Sequence, residues 1–110
     1  MLMENIPFTV IDWEALEKET HPGKTGTSHW KKFEQGNLRT RIVTYSAHFQ
    51  SDHWCLRGHT LLVIEGELTI DLKDGRTFTF TKGCGFQVGD DKNNPHLART
   101  ESGAKVFIID

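Results

Sequence analysis

The chain has 110 residues and a formal charge of −2 with its six histidines counted neutral, thirteen basic residues standing against fifteen acidic ones. That length suits one domain with its own core, residues 1–110, and the scattered basic residues exclude an electrostatic footprint for nucleic acid or an anionic membrane surface. No apolar run approaches the roughly 20 residues of a membrane span. The opening Met1-Leu2-Met3-Glu4 lacks the basic and then apolar order of a secretion signal, so a cytoplasmic protein is expected. The two cysteines, Cys55 and Cys84, are too few for a disulfide framework, a single Cys55–Cys84 bridge being the lesser alternative to free thiols.

In chain order, residues 8–11 read as a candidate strand, and Asp12 as the N-cap of a short helix over 13–19 that Pro22-Gly23 ends. Residues 21–29 have turn composition. Gly23-Lys24-Thr25 matches the end of a phosphate-binding loop, but the glycine required five positions earlier is Lys18, and that reading fails. Lys31-Lys32 reads as a solvated surface patch. From residue 39 onward short strands follow one another through tight turns, which predicts an all-β fold. The first clear strand covers 39–49. Within 60–72, Leu62, Ile64, Leu68, Ile70 and Leu72 share one parity, with Glu65-Gly66-Glu67 as a turn between two antiparallel pieces. Asp74-Gly75 marks a hairpin, 76–81 alternates Phe78 and Phe80 with threonines, and Lys82-Gly83 leads into 85–88. Residues 89–94 form a polar loop in which Asp90 and Asp91 are expected to be solvated or capping. Strands at 95–99 and 105–109 around Glu101-Ser102-Gly103 complete the pattern.

The densest chemistry lies in Asp52-His53-Trp54-Cys55-Leu56-Arg57-Gly58-His59, with Pro95-His96 further on. In an extended segment side chains alternate, so His53, Cys55 and His59 share a face. With His96 they supply three imidazoles and a thiol to one ion. Nitrogen and sulfur donors suit zinc, iron, nickel or cobalt and not calcium or magnesium, which take oxygen ligands. His48 has the opposite parity and is left out, while His21 and His29 are expected at the surface. The competing structural reading makes Cys55 a packed apolar residue and the histidines backbone-satisfied core residues.

The spacing His53, one residue, Cys55, three residues, His59, six residues, Gly66 resembles the first motif of the cupin superfamily. In that motif a second histidine stands at position 55, a glutamate at 59 and a glycine at 47, where this chain has Cys55, His59 and Ala47. The second cupin motif is similar to Gly83 followed by Pro95-His96, with a longer loop, Gly89 in the proline position and no closing asparagine. Asp52-His53-Trp54-Cys55 also resembles the signature of small uncharacterised bacterial cupins named for Asp-His-Cys-Trp, with its last two residues exchanged. The resemblance implies an all-β cupin-type jelly-roll barrel over 39–110 behind an irregular N-terminal segment, and assembly as a homodimer. It further implies a divalent transition metal at His53, Cys55, His59 and His96, the thiolate preserving the negative charge of the usual glutamate. The first functional reading is then a Lewis-acid site for a small carboxylate, carbonyl or sugar-type substrate. The alternatives are a non-catalytic, metal-stabilised or small-ligand-binding regulatory module, and a barrel without metal. Fold alone does not give the reaction, and no general base stands beside the ligands in the sequence.

Overall fold

The computed structural model describes residues 2–90 and 92–110, so Asp91 lies outside the described residues. Among those described, nine strands form and no α-helix does: β1 (Lys18–Pro22), β2 (Thr27–Gln35), β3 (Leu38–Tyr45), β4 (Phe49–Gln50), β5 (His59–Leu72), β6 (Thr77–Thr81), β7 (Gly85–Val88), β8 (His96–Thr100) and β9 (Ala104–Ile109). All pairings are antiparallel, which makes the predicted all-β class the observed one.

The long strand β5 belongs to both sheets. Its first half pairs with β9 and β7 in a sheet that continues through β3 and β2 to β1. Its second half pairs with β8 and β6 in a sheet that ends at β4. One strand serving two sheets curls the whole into a barrel with an interior. Val43, Val63, Leu68 and Val106 are fully enclosed in that interior.

Glu65-Gly66-Glu67 is where the strand changes sheet, and it is not the expected hairpin turn. Glu65 pairs with Lys105 and Gly66 with Ala104 on β9, while Glu67 pairs with Thr81 on β6. The register slips between Val63 and Glu65, and Gly66 has φ +77°. An extra residue at such a bulge exchanges the faces of everything beyond it. Hence His59, Leu61 and Val63 point inward before the bulge, and Leu68 and Ile70 after it. Leu62, grouped with the inward residues by simple alternation, is instead 46% exposed. The left-handed backbone and a carbonyl pressed close both require glycine here: a Cβ on Gly66 would meet the carbonyl oxygen of Gly103.

The N-terminal third departs from expectation. Residues 8–11 form no strand, and Phe8 and Val10 are exposed. The helix expected over 13–19 is one 3-10 turn, Trp13–Ala15, where Asp12 Oδ1 accepts from the Glu14 backbone N–H at 3.1 Å. Pairing then takes over from local propensity, since Lys18 to Pro22 run in register with Lys31 to Thr27 as β1 and β2. The turn-like residues 21–29 therefore hold a hairpin, and Lys31 and Lys32 lie within β2. The strand expected over 39–49 is interrupted after Tyr45 and resumes as β4, with His48 at φ +61° between the pieces.

Replacing Gly66 with alanine is expected to destabilise the fold by about 2 kcal/mol, through forced φ and displacement of the β8–β9 turn. Urea unfolding of both proteins measures it, and an unchanged midpoint would contradict the bulge as described.

Candidate metal centre

His59 opens β5 on its inward face and is 8% exposed. Its Nδ1 lies 2.9 Å from Asp110 Oδ2, which fixes the Nδ1–H tautomer and leaves Nε2 aimed across the interior at Cys55 Sγ, 3.5 Å away. His96 opens β8 and is 5% exposed. Its Nδ1 lies 3.2 Å from the Asn94 carbonyl oxygen, to which it donates, and its buried Nε2 has no hydrogen-bond partner among the described residues. Cys55 stands directly opposite His96 in an isolated antiparallel bridge, each backbone N–H donating to the other's carbonyl at 2.8 and 3.1 Å.

One ring nitrogen from each imidazole and Cys55 Sγ thus converge, the ligand atoms of Cys55, His59 and His96 lying within 4.8 Å of one another. Two metal bonds of zinc–sulfur and zinc–nitrogen length separate their donors by roughly 3.6 Å at a tetrahedral angle, so the Cys55–His59 spacing fits an ion. Burial opposes ionisation of Cys55, but the hydrogen bond with His59 and the nearby His96 imidazole outweigh it and bring the thiol down to about 5. The same interaction with the Cys55 sulfur raises the His96 imidazole, against the effect of burial. The cluster is therefore ready to hold positive charge between a thiolate and two imidazoles.

His53, the fourth residue expected here, is not drawn into the cluster. Its side chain is 76% exposed and its Nδ1 lies 2.7 Å from Asp52 Oδ1, at the rim of the interior. The chain bends at Asp52-His53 instead of running extended, so the alternation that aligned His53 with Cys55 does not apply. Asp90, placed among the solvated or capping residues, accepts from the Gly58 backbone N–H at 2.6 Å. Cys55 and Cys84 are both free thiols, Cys84 exposed. His21, expected at the surface, has its side chain 44% exposed and packs its ring 4.2 Å from that of Trp30 at the edge of the cavity.

The cluster forms part of the wall of a cavity of about 630 Å³. Apolar residues including Leu61, Phe86 and Ile108 line one part, and Arg39, Arg41 and Tyr45 another. Asp110 binds this second group together. Arg39 donates to its two oxygens at 2.8 and 2.9 Å, and Arg41 Nη2 donates to Oδ2 at 3.1 Å. Burial works against the Asp110 charge, but Arg39 and Arg41 hold the carboxyl down to about 2. Burial lowers the Arg41 pKa, with the Arg39 charge acting in the same direction, and burial pushes the Tyr45 phenol up to about 12. Sequence reading missed this group because its members lie 69 and 71 positions apart. One signal was present: Arg39 and Arg41 share the strand parity of the core residue Val43.

No protein-family model matches the chain, and no curated protein does. Solved structures do. An RmlC-like cupin from Shewanella frigidimarina NCIMB 400 superposes with a TM-score of 0.73 at 17% identity, over 94% of this chain and 89% of that one. The chain has the cupin fold. Ectoine synthase from P. lautus aligns at a TM-score of 0.72 and 17% identity, over 93% of this chain and 76% of its own. The polyketide cyclase RemF from Streptomyces resistomycificus aligns at 0.73 and 18%, over 94% and 78%. At such identities the likeness is one of fold, and the chemistry of this barrel has to be read from its own residues.

Removing the Asp110 charge strands the buried guanidinium of Arg41 and the half-buried one of Arg39, so Asp110→Asn is expected to cost about 3 kcal/mol in urea unfolding near neutral pH. In metal-free protein the carboxylate's contribution is complete above its ordinary pKa of 3.8 and disappears as pH falls toward about 2. The gap between wild type and variant should therefore close over that acid range. A gap that stays constant with pH would contradict the assignment.

Proposed function

We propose that this cupin barrel binds a divalent transition ion at Cys55, His59 and His96 and uses it to hold a small ligand in the cavity beside it. The observation that carries the reading is the convergence of Sγ and one nitrogen of each imidazole, both imidazoles having Nδ1 committed to an oxygen acceptor. The donor set selects zinc, iron, nickel or cobalt. When bound, such an ion supplies a Lewis acid to an oxygen of the ligand. The protein's own part is to orient both imidazoles, keep Cys55 ionised and exclude bulk water with the apolar wall. Three protein ligands leave positions open toward the cavity, whereas four would close a structural site. His53, at the rim, is the residue that would complete a closed set by turning inward.

Elemental mass spectrometry on untagged protein tests this. Near one equivalent of metal is expected in wild type, with most of it lost in Cys55→Ala and in His96→Ala. His53→Ala should retain it if the site is open, and should lose it if the expected four-ligand set forms. Absence of metal in all four proteins would overturn the reading and leave a ligand-binding barrel.

The same reading places the protein in the cytoplasm, where free Cys55 and Cys84 are compatible with a reducing compartment. No helix among the described residues is long and apolar enough to cross a membrane. We infer a homodimer, supported by the exposed apolar side chains Leu2, Met3, Phe8 and Val10 in a segment that a second copy would cover. Light scattering at micromolar concentration should give twice the chain mass, and the chain mass itself would end the inference.

A further inference from the structure

We propose that the cavity contains an anion subsite at Arg41, which holds the carboxylate or phosphate group of a small ligand while the rest of that ligand reaches the Cys55, His59 and His96 cluster. The proposal deepens the reading of the cavity as a small-molecule site and rests on it, but the subsite itself requires no metal.

Arg41 stands on the inward face of β3, its side chain is 7% exposed, and it lines the cavity. Its Nε is buried without a hydrogen-bond partner among the described residues. A guanidinium carries five N–H donors, and this one donates to Asp110 Oδ2 alone, at 3.1 Å, among the described residues. Leaving that N–H buried and unsatisfied is costly, and it marks where an acceptor belongs.

The plainer reading is that Arg41 serves only to neutralise Asp110. Charge counting opposes it. The same carboxylate takes two hydrogen bonds from Arg39 and one contact from His59 at 2.9 Å, and Arg57 Nε lies 3.6 Å from it. Arg39 and Arg41, with the half-exposed Arg57 beside them, thus share one side-chain carboxylate. Of the other acidic groups facing the cavity, Asp52 is 60% exposed and bonded to His53, and the Cys55 thiolate belongs to the cluster. The Trp30 ring, 4.3 Å from Arg41 Cζ, covers one face of the guanidinium. Tyr45 lines the same cavity.

Asp110 also provides a ruler. Its Oδ2 meets both Arg41 Nη2 and His59 Nδ1, so those two nitrogens are no farther apart than contacts of 3.1 and 2.9 Å laid end to end. His59 Nε2, which faces Cys55, lies across the same imidazole ring from Nδ1, so the ligand is short: one anionic group, and a second oxygen a few bonds away to face the cluster. Hydroxy-, oxo- or dicarboxylic acids and small phosphorylated carbonyl compounds have that form.

The test follows the Arg41 Nε–H resonance by proton–nitrogen NMR during titration with succinate, inorganic phosphate and neutral butane-1,4-diol, in chelator-treated and in zinc-loaded protein. The resonance is identified by its loss in Arg41→Lys and, independently of any variant, by its cross-relaxation with the Trp30 ring. A saturable shift with succinate or phosphate and none with the diol is expected, the better anion naming the ligand's acidic group. By calorimetry, Arg41→Lys should weaken that anion at least about tenfold, since it keeps the charge but loses the planar donor set. No saturable shift with either anion, or equal affinity in the folded Arg41→Lys protein, would overturn the subsite. The shift in chelated protein is read without metal, so its failure is distinct from failure of the metal centre.

Discussion

One buried carboxylate ties this barrel to its candidate site. Asp110 follows the last strand, its side chain is 1% exposed, and it meets Arg39 and Arg41 from β3 and His59 from β5. A lone carboxylate in that position would be strongly disfavoured, and so would the two guanidiniums without it. Together they satisfy one another and set the tautomer of a metal-ligand candidate. Barrel closure and imidazole orientation therefore depend on the same atoms.

A second constraint acts from the opposite wall. The reciprocal backbone bridge between Cys55 and His96 brings a short irregular segment against the start of β8, so that the thiol and imidazole face inward side by side. The bulge at Gly66 does the same for β5 by setting which residues face the cavity. Without the parity change at Glu65, either Leu61 and Val63 or Leu68 and Ile70 would point outward, and the barrel would lose half of that strand's apolar contribution. Local backbone irregularities, more than the regular pairing, decide what the cavity contains.

The all-β class and three of the clustered residues were legible in the sequence for physical reasons. Cys55, His59 and His96 stand out because thiol and imidazole are unusual in β-rich stretches and keep ligand-like spacing. His53 does not follow, since alternation holds only in extended chain and the backbone bends at Asp52-His53. Strands β1 and β2 were illegible because Lys18 to Gln35 alternates polar residues without an apolar face of its own. Their order comes from pairing with each other and with β3. Asp110 had no local signature at all, because its importance lies wholly in partners far away along the chain.

The most direct measurement of the centre is the absorption spectrum of the protein loaded with one equivalent of cobalt(II). A thiolate-to-cobalt charge-transfer band in the near ultraviolet, lost in Cys55→Ser, is the result expected if Cys55 joins His59 and His96 at one ion. The intensity of the visible bands would then separate four-coordinate cobalt from an ion with more ligands. A stoichiometric cobalt complex with no charge-transfer band, or one unchanged in Cys55→Ser, would contradict the sulfur-containing site.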